Sequence, residues 1–259
     1  MKKFFAILSV AVMALTACTQ QSHQVKVLAH RGHVTSGKER VTDENSLDAL
    51  RRAQELGVGA AEFDIHLTVD NQMVVHHDDK IVDGLTCQGS TFDEIRAHRL
   101  PFGNQIPTPR EWLEQAKQTP HIKQMVEIKA QKKEGSEAEI IRQVLEIVRE
   151  LDMLDQIYFV SFNSETLDEA KRQEPNVKVV FNSSSLSKSW PPKKVYEQGY
   201  DAVSYNVSVI LNRPEWIEEF RSYGIETYLW MVNSELLYNI ANEWKFDWIT
   251  SDYCELFVK

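Results

Sequence analysis

The sequence predicts an α/β fold: a (β/α)8 TIM barrel carrying a hairpin arm and a small insertion after the second barrel strand. Three observations carry that prediction. Extended apolar segments alternate with helical ones along the chain, which implies a parallel sheet covered by helices. Eight of the extended segments can be parallel strands. The 259 residues match the roughly 250 of a single barrel. The competing fold is an open α/β sheet, but no glycine-rich phosphate loop follows the first strand.

The first segment stands outside the fold. Lys2 and Lys3 precede an apolar run at 4–15, shorter than the about 20 residues a spanning helix needs. Leu15-Thr16-Ala17-Cys18 follows and resembles the lipobox of bacterial lipoprotein signals. The expectation is a signal peptide at 1–17, a lipidated Cys18, a polar tether at 18–24 and an exported, membrane-anchored lipoprotein on the periplasmic or cell-surface side. An ordinary signal peptide with an incidental cysteine is the alternative.

Residues 25–259 then form one barrel domain. A buried strand is expected at 25–29 and a helix at 46–56 that stops at Gly57. A second strand runs through 60–68. Another extended run, 73–77, follows so closely that it must fold back as a hairpin rather than cross over. Reading Asp70-Asn71 as a two-residue turn sets Asp64 opposite His77. Residues 78–109 read as an irregular insertion, broken by glycines and by Pro101, Pro107 and Pro109. Alternation then resumes. Helices are expected at 110–118, Ser136–Leu151, Ser164–Gln173, Pro192–Gln198, 214–223 and 234–243. The intervening strands are 124–129, 156–161, 177–181, 202–205, 226–231 and 247–250.

Composition excludes some functions. Acidic residues outnumber basic ones, 38 to 29, which argues against a nucleic-acid surface but not against a small anionic substrate held by a few local cations. Beyond Cys18 only Cys87 and Cys254 remain, read as small buried fillers or free thiols. There is no zinc-type Cys/His spacing, no Gly-x-Ser-x-Gly elbow and no P-loop.

The unusual polar residues gather where barrel chemistry gathers, at the C-terminal strand ends. His30-Arg31 follows the first strand. Glu62 and Asp64, two apart, share a face of the second, and Glu127 and Lys129 repeat that spacing on the third. The strand around Glu62 is apolar enough to be buried, and buried carboxylates need cations. Oxygen ligands favour one hard divalent cation, Ca²⁺ or Mg²⁺. His30 and His77 flanking it suit acid–base work on a phosphoester, with Arg31 and Lys129 on the phosphate charge. Taken singly, each has a plainer structural reading. His76 and Asp79 are expected to be bystanders, and His33 and His66 structural.

These residues, in order, resemble the glycerophosphodiester phosphodiesterase family: His30-Arg31-Gly32, Glu44-Asn45-Ser46, Glu62-Phe63-Asp64, His77-Asp78 and Glu127-Ile128-Lys129, with later similarity at Ser161-Phe162, Trp230-Met231-Val232-Asn233 and Thr250-Ser251-Asp252-Tyr253. The resemblance implies Glu62, Asp64 and Glu127 as metal ligands with Glu44 nearby. It implies His30 and His77 as the acid/base pair, and Trp230 and Phe162 packed on glycerol carbons. It further implies a small-molecule phosphodiester cleaved through a cyclic phosphate to sn-glycerol 3-phosphate. Ser46 and Asp43 stand where the family usually has Thr and Pro. Residues 80–86 depart from its usual Arg-Thr-Thr run, which touches headgroup choice rather than chemistry. A lysophospholipid or phosphoinositide-like substrate, or a non-catalytic surface ligand-binding lipoprotein, are the competing functions.

Overall fold

The computed structural model describes residues 23–258; the expected signal peptide, Cys18 and most of the tether lie outside them. Among the described residues no helix is long and apolar enough to cross a membrane.

Eight parallel strands close into a barrel: β1 Lys26–Ala29, β2 Ala60–Leu67, β3 Lys123–Ile128, β4 Ile157–Ser161, β5 Lys178–Ser183, β6 Ala202–Asn206, β7 Glu226–Trp230 and β8 Trp248–Ser251. Each pairs with its sequence neighbour, and β1 pairs with both β2 and β8, which closes the ring. The covering helices are α1 Leu47–Leu56, α2 Pro109–Ala116, α3 Ser136–Leu151, α4 Ser164–Gln173, α5 Pro192–Gln198, α6 Trp216–Ser222 and α7 Glu235–Glu243. Two apolar layers result. Leu28, Ala60, Met125, Val160, Val180, Ala202, Tyr228 and Trp248 fill the barrel. A larger layer lies between strands and helices, including Ile140, Ile141, Val144 and Val148 from the inner face of α3.

Local chemistry sets the ends. Ser46 caps α1 by accepting from Ala49 N–H at 3.1 Å, so the expected Thr is replaced by a residue that does the same work. Gly57 closes α1 in the left-handed region.

Three expectations need correction. The arm at Met73–Val75 is antiparallel to β2 as expected, but its register pairs Leu67 with Met73 and Ile65 with Val75. The loop therefore holds three residues, Val69-Asp70-Asn71, with Asn71 at φ 58 and Thr68 N–H bonded to Gln72 O at 2.8 Å. Asparagine tolerates that left-handed position, which a three-residue hairpin requires. As a result Asp64 O accepts from His76 N–H, not from its neighbour. Second, the insertion is not irregular. It contains a hairpin, Lys80–Val82 with Leu85–Thr86, and a helix, Phe92–Ala97, closed by a Thr91/Glu94 capping box. Val74, Cys87, Ile95 and Ile106 give it a small core. Asp43 ties it to the barrel by accepting from Phe102 and Asn104 N–H, a role proline could not fill. Third, Val207–Asn212 forms an unexpected short helix after β6, capped by Asn206.

Candidate active site

Alternation along each strand builds the site. The inward residues Ala60, Met125, Val180, Ala202, Tyr228 and Trp248 belong to the barrel's apolar filling. Two residues further on, the same face presents Glu62, Glu127, Asn182, Ser204, Trp230 and Thr250. Together with His30, Arg31, His77, Lys129 and Phe162 they line a cavity of about 180 Å³ at the C-terminal mouth.

One wall is ionic. Ligand atoms of Glu62, Asp64 and Glu127 all lie within 4.8 Å of one another, because β2 and β3 pair Asp64 directly with Glu127. Burial, then the charges of Asp64 and Glu127, push the Glu62 carboxyl well above its usual range. Burial and Asp64 likewise raise Glu127, against the pull of Lys129. Burial works against the Asp64 charge too, yet Lys129, His77 and Arg31 hold it below the usual range. Lys129 Nζ sits 2.8 Å from Glu127 and 3.2 Å from Asp64; burial opposes its charge, and the two carboxylates more than restore it. Glu62 Oε1 is buried with no hydrogen-bond donor among the described residues, and Asp64 Oδ1 has only its ion-pair contact with Lys129. Buried acceptors of that kind are costly unless something else meets them, and three clustered oxygen donors suit a hard divalent cation.

The His-Arg-Gly turn aims its groups by backbone conformation. Arg31 and Gly32 are both left-handed, at φ 56 and 81, and a Cβ on Gly32 would lie 2.6 Å from Ala49 Cβ. The turn points Arg31 N–H at Glu62 Oε2, 2.8 Å away, while its guanidinium bonds Glu44 at 2.8 Å. Glu44 is also bonded by Arg40. Burial opposes the Glu44 charge, but Arg31 and Arg40 keep it below the usual range. Glu44 therefore anchors a cation beside the cluster and lies outside the three-carboxylate group. Asn45, at φ 54, grips Asp64 twice: its amide donates to Oδ2 at 2.8 Å and accepts from Asp64 N–H at 3.1 Å.

Both histidines face the cavity with Nδ1 already engaged. His30 Nδ1 is 2.6 Å from Asp252 Oδ1. Asn233 holds the other Asp252 oxygen at 2.7 Å, and its own carbonyl takes Asp252 N–H at 3.0 Å. Burial opposes the Asp252 charge, but the bond from His30 lowers it. His77 Nδ1 is 2.8 Å from Asp78, and burial lowers its proton affinity. In each ring this leaves Nε2 for chemistry.

The structure thus brings together His30, Arg31, Glu62, Asp64, His77, Glu127 and Lys129. Phe162 meets Trp230 edge to face, centroids 6.3 Å apart, on the opposite wall. His66, buried, supports His77 from behind through His77 O at 3.1 Å, and buried His33 lies 3.4 Å from Glu255; neither lines the cavity. His76 turns to Asp78 O, and Asp79 to Gln88 N–H and Lys132. Cys87 and Cys254 are buried and unbridged. Roles for Asn45, Asn182, Ser204, Asn233 and Asp252 were not read from the sequence.

Fold and site together define a barrel hydrolase of phosphoric diesters. The chain belongs to the glycerophosphoryl diester phosphodiesterase family, whose model matches residues 30–256, and it is a glycerophosphodiester phosphodiesterase. It is similar to the glycerophosphodiester phosphodiesterase of Caldanaerobacter subterraneus subsp. tengcongensis, 26% identical over 80% of this chain and 85% of the relative. A crystal structure of a glycerophosphodiester phosphodiesterase from Parabacteroides distasonis superposes with a TM-score of 0.83 at 28% identity, covering 91% of this chain and 96% of that one. An Oleispira antarctica phosphodiesterase, solved in complex with the product sn-glycerol-3-phosphate, shares the fold at TM-score 0.77 and 23% identity over 90% and 95% of the two chains.

Proposed function

We propose that the enzyme cleaves glycerophosphodiesters to an alcohol and sn-glycerol 3-phosphate through a cyclic phosphate, using His30 and His77 as the acid/base pair and one divalent cation, Ca²⁺ or Mg²⁺. The observation that carries this is the buried Glu62/Asp64/Glu127 cluster, flanked in one cavity by both histidines, Arg31 and Lys129. The clustering of three carboxylates, with Glu62 Oε1 buried and without a donor among the described residues, makes Glu62, Asp64 and Glu127 the residues that would hold the cation. When bound there, it supplies positive charge against the phosphate.

Arg31 and Lys129 hold the phosphoryl oxygens and stabilise the charge that grows on them. Phe162 and Trp230 pack on the glycerol carbons and keep the neighbouring hydroxyl close to phosphorus, so that attack is intramolecular. Nε2 of one histidine takes that hydroxyl's proton. The new P–O bond closes a five-membered ring as the bond to the alcohol breaks, and the other histidine protonates the departing oxygen. Water then opens the ring with the histidine roles reversed. The product assigned is the one held by the Oleispira antarctica relative.

A lysophospholipid reading draws on Phe162 and Met231, each 48% exposed at the mouth. One substrate panel separates the two, with glycerophosphodiesters, lysophospholipids and a chelator arm, measuring alcohol and sn-glycerol 3-phosphate together. Full turnover in chelator, or by His30→Ala, would sink the mechanism. Export and anchoring through Cys18 belong to the same reading and rest on the lipobox-like 15–18 segment. Acyl label on Cys18, lost in Cys18→Ser, tests them.

A further inference from the structure

The wall facing the ionic cluster carries a polar pair that the mechanism does not use. Asn182 on β5 and Ser204 on β6 are direct register partners. They stand one inward step above Val180 and Ala202 of the barrel filling, and both line the cavity. Asn182 is 8% exposed and Ser204 7%. Asn182 Oδ1 is buried with no donor among the described residues. A structural asparagine in that position would bond a neighbouring backbone group, as Asn45 and Asn233 do here. The amide forms no hydrogen bond among the described residues, and a half-turn about its last side-chain torsion presents the acceptor to the cavity that Asn182 lines, where it calls for a donor on the ligand.

Position identifies which part of the ligand. The phosphate belongs at Arg31 and Lys129, on the β1 and β3 side. Trp230, which packs on glycerol, donates Nε1–H to Ser204 O at 3.2 Å, so the pair adjoins the glycerol end. The hydroxyl next to the phosphate is committed to attack, which leaves the distal primary hydroxyl as the donor. We infer that Asn182, with Ser204 beside it, binds the distal glycerol hydroxyl and selects substrates in which that hydroxyl is free. An acyl ester there has no hydrogen to give. The inference rests on the phosphodiesterase reading and deepens it by ranking deacylated substrates above lysophospholipids.

The test compares kcat/KM for glycerophosphocholine, for its propane-1,2-diol analogue, which lacks only the distal hydroxyl, and for the 1-acyl form. Wild type should prefer glycerophosphocholine over the analogue by about 10–100-fold, the worth of one buried hydrogen bond. Asn182→Leu should erase that preference by slowing glycerophosphocholine alone, with a thermal midpoint unchanged or higher, since Oδ1 has no partner to lose among the described residues. Ser204→Ala should narrow the preference in the same direction. Indifference of wild type to the distal hydroxyl, or equal loss on both substrates in both variants, overturns the inference while leaving the phosphodiesterase reading intact. A wild type inert on all three substrates overturns both.

Discussion

Replacing Glu62 with Gln should stabilise the metal-free protein and abolish its response to divalent cations. The carboxylate oxygens of Glu62, Asp64 and Glu127 lie within 4.8 Å of one another. At an effective dielectric constant of about 20, each like-charge pair at that distance costs roughly 3.5 kcal/mol, and Glu62 faces two such partners. Arg31 and Lys129 offset part of this, and partial protonation of Glu62 relieves more. A net gain of about 1–2 kcal/mol is therefore expected for Glu62→Gln, the usual size of a single stabilising substitution. That corresponds to a midpoint rise of about 2–8 °C for a chain of this size. The glutamine oxygen still accepts Arg31 N–H, so packing is preserved.

The sign with pH follows from the raised carboxyl. A carboxyl whose folded pKa lies above its usual 4.5 destabilises the fold once it ionises, so the variant's advantage grows as pH rises through that raised value and vanishes below the usual one. Cation should reverse the order. At about 100-fold excess over its Kd, a ligand binding only the native state adds about 2.7 kcal/mol, and wild type should then be the more stable protein. Thermal melts in chelator and in Ca²⁺ or Mg²⁺ measure all four states. A lower midpoint for Glu62→Gln in chelator, or equal cation shifts in both proteins, would refute the reasoning.

Asp252→Asn should cut kcat by about 10²–10⁴ with KM and midpoint little changed, because it removes the group that fixes His30 Nδ1 at 2.6 Å; steady-state kinetics beside a melt measure this. Gly32→Ala should cost at least about 2 kcal/mol, from a left-handed φ and a Cβ 2.6 Å from Ala49, and calorimetry should show a midpoint lower by about 4–8 °C. Asp201 accepts Lys171 and Lys178 at 2.7 and 2.8 Å. Burial opposes its charge, but these bonds hold it below its usual 3.8. Its contribution is therefore present above 3.8 and lost as pH falls through the depressed value. Asp201→Asn should lose about 1–3 kcal/mol at neutral pH and nothing in strong acid, read by denaturant melts at both.

The barrel was legible because each strand repeats one pattern, and a short error at an end does not disturb the next element. The hairpin was misread because Val69 is β-branched and continues the strand pattern, so the loop looked one residue shorter than it is. A one-residue slip changes every partner in a ladder, and it sets His76 rather than His77 across from Asp64. His77 still reaches the cavity, from beyond the last paired strand residue, Val75. The insertion was hidden by its glycines and prolines, although Thr91 and Glu94 carried a readable capping signal. Asp252 was out of reach for another reason: its partner lies 222 residues away, and only closure of β8 onto β1 joins them. Asn182 and Ser204 needed no closure. The same step of two that found Glu62 and Glu127 from their strands would have found them, but amide and hydroxyl side chains raise no alarm in a strand as paired carboxylates do.

The distribution of strained backbone separates what the fold needs from what the site needs. Among the described residues, six non-glycine positions have positive φ. Asp152 closes α3, Asn71 turns the hairpin and Lys245 follows the end of α7; each has a local reason. Arg31, Asn45 and Met231 terminate no helix and close no hairpin, and they border the cavity or grip its carboxylates. Such positions cost about 1–3 kcal/mol each and persist where the surrounding structure over-determines them. Here the closed barrel does so: Gly32 is wedged on Ala49, and Val232 N–H next to Met231 is bonded to Thr250 O at 3.2 Å. Strain, clustered like charge and unmet acceptors therefore fall on one mouth of a barrel whose other layers are apolar and filled. The stability of those layers is what lets the mouth hold clustered carboxylates and strained backbone in fixed geometry.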